Sequence, residues 1–167
     1  MDTVAACARG GPEPDAPRDH ALQTPAGVFV TLERSGELRG CIGHVEADTP
    51  LALVTGRMAR AAACDDPRFP PVRAHELSDI EVELSVLSVP AAAPPEHLVV
   101  GRHGVIATRG RARALLLPQV APRHGWTATD MLEAVCHKAG LPKGAWRHGD
   151  TTIELFEIQR IVGPVHA

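Results

Sequence analysis

The chain has 167 residues, of which 44% are hydrophobic, enough for one domain with a sizeable core that needs no disulfide staples. A net charge of −3 with dispersed Lys and Arg, together with only 3% aromatic residues and no Tyr, excludes the basic footprint and the stacking platforms of a nucleic-acid binder. No apolar run marks a leader or a membrane-spanning helix, and the cysteines at 7, 41, 64 and 136 have no close pair, so the protein is expected to be cytoplasmic with reduced thiols.

Residues 1–25 hold Gly10, Gly11 and prolines at 12, 14, 17 and 25, a composition that favours a flexible segment, with the folded domain predicted over 26–167. Gly27 to Glu33 reads as a strand and Glu37 to Ile42 as its hairpin partner. A three-residue loop, Arg34-Ser35-Gly36, pairs Leu32 with Leu38 and Val28 with Ile42 and puts Gly36 at a left-handed position. In that register Val28, Val30, Leu32, Leu38 and Ile42 share one face, and Phe29, Thr31, Arg39 and Cys41 share the other.

Asp48-Thr49-Pro50 marks a helix start with proline at the first helical position, and Leu51, Val54, Met58 and Ala61 recur at helical spacing before an end by Asp65. Asp66-Pro-Arg-Phe-Pro-Pro71 is a rigid loop, because its three prolines suit neither a helix nor a central strand. Ile80, Val82, Leu84 and Val86 alternate with Glu81, Glu83 and Ser85 as a half-buried strand. Gly104 to Thr108 and Ala112 to Leu117 flank Gly110 as a second hairpin that Pro118 ends. Thr127 to Gly140 is a helix with Thr127 and Asp130 placed as a capping box, Trp126 placed to staple onto Met131, and Met131, Leu132, Val135 and Ala139 as its buried stripe. Thr152 to Ile161 is the last strand. Hairpins with helices inserted between them define an α+β fold, an antiparallel-rich sheet of hairpins flanked by helices.

Cys41 is the first candidate for chemistry. Glycines at 40 and 43 allow close approach of a ligand or another backbone, and Arg39 is a cation suited to stabilising a thiolate. The alternative is a small residue filling a tight sheet interface. A nucleophilic pairing of Cys41 with His44, His75, His103 or His124 stays open, since such partners meet in space rather than in sequence. Cys136-His137 lacks the spacing of a metal-ligand pair, and His137 sits one turn from Glu133 as a solvent-facing pair, so no metal is expected. Asp66, Arg68 and Glu76 suit an ion pair that pins the proline loop to the body. No phosphate-cradling loop or nucleophile elbow is present, and no cofactor is implied.

Gly27-Val-Phe-Val-Thr-Leu, Leu38-Arg-Gly-Cys-Ile-Gly43, Asp66-Pro-Arg-Phe-Pro-Pro71, Glu83-Leu-Ser-Val-Leu-Ser88, Leu116-Leu-Pro-Gln-Val120 and Lys138-Ala-Gly-Leu-Pro142 occur in the order seen in the AMMECR-domain family, which the chain resembles over about residues 26 to 160. The resemblance implies a two-lobed α+β domain and, in prokaryotes, an association with a Memo-type protein of extradiol-dioxygenase fold and a radical S-adenosylmethionine (radical-SAM) protein, the AmmeMemoRadiSam triad. It carries no established reaction. Matched position by position, it implies a site of Arg39, Gly40, Cys41 and Gly43 with Asp66, Arg68, Phe69 and Pro70, joined by Pro118 and Gln119, suited to a small anionic or carbonyl ligand. The segment before the first strand is shorter and richer in proline than the family's usual helix. A non-catalytic interaction module is the alternative reading, and a nucleic-acid-associated protein is the third.

Overall fold

The computed structural model describes residues 2–12 and 14–165, which form helices α1 (Asp2–Ala8), α2 (Leu51–Arg60), α3 (Val120–His124) and α4 (Ala128–Lys138) and strands β1 (Val28–Arg34), β2 (Glu37–His44), β3 (Ile80–Leu87), β4 (Ala91–Ala92), β5 (Gly104–Arg109), β6 (Ala112–Leu116), β7 (Thr152–Phe156) and β8 (Ile158–Pro164). The chain divides into two compact units, one running to Leu87 and resuming at Gln159, the other spanning Ser88–Ile158. Each unit has its own antiparallel sheet, in the orders β2-β1-β3-β8 and β4-β7-β5-β6.

In the first unit Val30, Leu32 and Val82 turn one face of the sheet toward α1, α2 and the turn after α2, where Val4, Ala59 and Ala62 complete the core. In the second, Val105 and Ala107 of β5 pack with Met131, Leu132, Val135 and Cys136 of α4. That helix begins as its sequence predicts. The Thr127 hydroxyl accepts from the Asp130 amide at 3.2 Å, and the Asp130 carboxylate accepts from the Thr127 amide at 2.9 Å, satisfying two amides that a helix start leaves without intrahelical partners.

Several expectations are corrected. The hairpin turns on two residues, Ser35 and Gly36, both with positive φ, and Val28 pairs with His44 and Val30 with Ile42. A β-bulge between Leu32 and Glu33 on the paired register leaves Arg39 as the extra residue of β2, so Leu38 lies opposite Glu33 and is 44% exposed instead of joining Leu32 in the core. At the start of α2, Pro50 is the cap residue, because the Asp48 carboxylate is taken by His44 at 2.8 Å and the Thr49 hydroxyl at 2.9 Å. The helix then loosens into a π turn, Ala61–Asp65.

Extended chain was expected over 1–25, yet α1 is a helix whose Val4 and Ala5 are buried, since apolar burial supplies what its length does not. Cys7 of α1 and Cys64 of the π turn are joined as a disulfide across 57 residues, a contact that sequence spacing does not reveal and that removes two of the four thiols expected to be free. The last strand is two strands broken at Glu157, with β7 in one sheet and β8 in the other.

Candidate functional site

Two straps tie the proline loop to β2. In the first, the Asp66 carboxylate, 3% exposed, accepts from the Cys41 amide at 2.9 Å and from the Arg68 amide, Nε and Nη2 at 3.1, 2.9 and 2.7 Å. Arg68 Nη2 also donates to the Cys41 carbonyl at 2.8 Å, so both backbone polar groups of Cys41 are held by the loop. The Arg68 guanidinium holds the Asp66 carboxyl far below the usual carboxylate range, with the Cys41 amide adding to an effect that outweighs burial.

In the second strap, the bulge sends Arg39 to Glu76. Its Nε and Nη2 donate to the two carboxylate oxygens at 2.9 and 3.0 Å, and Nη1 donates to the Pro70 carbonyl at 2.9 Å. Arg39 leads the causes that lower the Glu76 pKa to about 2, assisted by the Arg73 amide and by Arg34. Arg39 is thus committed to closing the loop. Gly40 acts differently, through what it lacks. A side chain there would overlap the Ala62 carbonyl, so only glycine lets β2 lie against the π turn. A side chain at Gly43 would overlap the Phe29 ring in the same way.

The Cys41 thiol meets the neighbouring strand as well as the Arg68 side chain. Cys41 is half-buried, and its Sγ accepts from the Thr31 hydroxyl at 3.3 Å. Thr31 is opposite Cys41 on one side and opposite Glu83 on the other, so the three form a row across β2, β1 and β3. Arg160 of β8 extends the row by donating to Glu83, with Nε–Oε2 at 2.7 Å, and Ser85 donates to Glu83 at 3.3 Å. Glu83 is 4% exposed and Ser85 is fully buried, where alternation had placed both on a solvent face. A buried carboxylate is retained at a cost in desolvation, which makes the row a candidate for function. Cys41 and its neighbour Thr31 stand out in the sequence, whereas Glu83, Ser85 and Arg160 do not; their one local signal is the serine two residues after a glutamate in the Glu83-Leu-Ser segment.

The remaining predicted residues divide. Phe69 lies under the Arg68 guanidinium at 5.5 Å, and Pro70 contributes its carbonyl to Arg39. Pro118, buried, and Gln119, preceding α3, belong to the second unit. His137 does not pair with Glu133, whose carboxylate instead accepts from the Gly144 amide at 2.8 Å and the Trp146 indole at 2.9 Å. Among the described residues, no three His, Cys, Asp or Glu side chains gather as a metal site, and no helix is long and apolar enough to cross a membrane.

These features define a two-unit α+β domain whose glycine-cysteine strand is strapped by a proline loop. The chain belongs to the AMMECR1 family, whose model matches residues 1–161. A protein of Pyrococcus furiosus is 43% identical over 94% of this chain and 83% of its own length, and one of Methanococcoides burtonii is 50% identical over 74% of this chain and 64% of its own. The crystal structure of the uncharacterized protein PH0010 from Pyrococcus horikoshii superimposes with a TM-score of 0.86 at 37% identity, covering 96% of this chain and 88% of that one.

Proposed function

We propose that this AMMECR1-family domain works inside the cell beside Memo-type and radical-SAM partners, with the thiol of Cys41 as the group that meets a small anionic or carbonyl ligand. The observation that carries the reading is the division of labour at Cys41. Its amide and carbonyl are immobilised by Asp66 and Arg68, while its thiol accepts from the Thr31 hydroxyl and lies within reach of the Arg68 side chain. Immobilising the backbone of a reacting residue is how a site holds geometry at the level chemistry needs. Arg39 is then a positioning residue and the straps are its means. The partners rest on the family resemblance.

A non-catalytic interaction module is the second reading. It is favoured by one observation: neither of the two described cavities, of 670 and 570 Å³, is lined by Cys41 or Arg39. Cysteine mapping with iodoacetamide separates the two. A functional thiol is alkylated at Cys41 in the folded protein and Cys41→Ser abolishes activity in a cellular assay, whereas native-state silence with wild-type activity of the variant rejects the thiol reading.

A further inference from the structure

The larger cavity lies wholly within the first unit and away from Cys41. Its 670 Å³ falls in the range of roughly 300–1,000 Å³ typical of small-ligand pockets. The body is aliphatic: Leu22, Leu51, Val82, Leu84 and Ile161 supply walls from a 3-10 turn, a helix and two strands, and no aromatic ring among the described residues lines it. Without a ring there is nothing for a flat heterocycle to stack upon, so the shape and chemistry suit a flexible hydrocarbon chain.

Three charged side chains line the same cavity. Arg57 on α2 is exposed, and its guanidinium makes no hydrogen bond or ion pair with any described residue. Asp2 and Asp15 are the other two, and both are exposed. One cation provides for one anionic head, and two carboxylates in the same lining oppose a second anionic group. Thr3 and Thr55 are the hydroxyls within reach of the lining.

We propose that this cavity binds a long-chain monocarboxylate, its hydrocarbon chain along Leu51, Leu84 and Ile161 and its carboxylate on Arg57. The site is independent of Cys41 and adds a lipid-like ligand to a domain whose other candidate ligand is small and polar.

The test is displacement of a fluorescent polyene fatty acid by palmitate, below micellar concentration, on the full chain. Saturable one-to-one binding is expected. Arg57→Gln should weaken it about three- to fivefold, as for a solvent-exposed ion pair, and Leu84→Trp should abolish it by filling the cavity. Because a tryptophan at a partly buried position risks the fold, Ile161→Trp, at a position 48% exposed, provides a second block and should weaken binding in a protein whose circular dichroism is unchanged. Absence of saturable binding, or binding indifferent to both tryptophans, overturns the cavity assignment. Tighter binding of dodecylamine than of laurate, lost in Asp15→Asn and kept in Arg57→Gln, overturns the carboxylate.

Discussion

Arg39 and Glu76 meet fork to fork, Nε to Oε1 at 2.9 Å and Nη2 to Oε2 at 3.0 Å, across 37 residues of chain. With the Glu76 side chain 8% exposed and that of Arg39 13%, the pair is largely out of water. Removing one member strands the other's charge. Arg39→Ala should therefore cost about 3 kcal/mol in urea unfolding, the lower end for breaking a buried pair because Arg34 still reaches Glu76. Arg39→Lys should recover under half of that, since an ammonium cannot reproduce the planar fork. A double-mutant cycle with Glu76→Gln that shows no coupling would refute the pairing as a stabilising contact.

Acid should loosen the same strap. The Glu76 pKa falls from the ordinary 4.5 to about 2 in the folded state, and the Asp66 carboxyl moves down from 3.8 in the same sense. A depressed folded-state pKa means that the unfolded chain binds the proton first. The stabilisation is therefore present above about pH 4.5 and is lost as pH falls toward about 2 for Glu76, with Asp66 continuing below. Stability measured between pH 5 and pH 2 should decline less steeply in Glu76→Gln than in the unmodified protein.

Gly40→Ala should destabilise by about 1–3 kcal/mol, because the new methyl group overlaps the Ala62 carbonyl and one of two backbones must shift. Gly149→Ala is the control, with open space at its Cβ position. Thermal melts of the two variants should differ by roughly 2–4 °C per kcal/mol. Equal melting temperatures would show that β2 does not rest on the π turn.

Iodoacetamide should label Cys41 before Cys136 in the native protein, because Cys136 is fully buried in α4 and burial pushes its thiol up while Cys41 is only half-covered. Peptide mass mapping at short times reads the order. Thr31→Val removes the hydroxyl at Sγ and should change the Cys41 rate while leaving that of Cys136 as it was.

What the sequence disclosed and what it hid follow from the range of the interactions. The capping box of α4 was readable because Thr127 and Asp130 are three residues apart and each completes the other. The first hairpin was readable as a hairpin, but its register was not. A serine with positive φ shortened the turn, and a bulge at Arg39 absorbed the difference. Alternation over β3 correctly grouped Glu83 with Ser85, yet period two reports only which residues share a face, not whether water reaches it. At the candidate site, the Asp66–Arg68 pair could be anticipated from the chain. The Glu76 partnership with Arg39, the thiol's contact with Thr31 and the Arg160 end of the row depend on strand order, which no local pattern encodes.

The break at Glu157 has a consequence for the order in which the protein is made. The amide of Ser88 donates to the Glu157 carbonyl at 2.9 Å and the Glu157 amide to the Ser88 hydroxyl at 3.0 Å, so the second unit is an insertion zipped at its own ends. During synthesis, the ribosome must deliver Ser88–Ile158 before β8 exists. Until then β3 is an open edge of the first sheet and Glu83 waits without Arg160. The nascent chain can complete the second unit before the first, which makes that open edge the window in which a chaperone would be most needed.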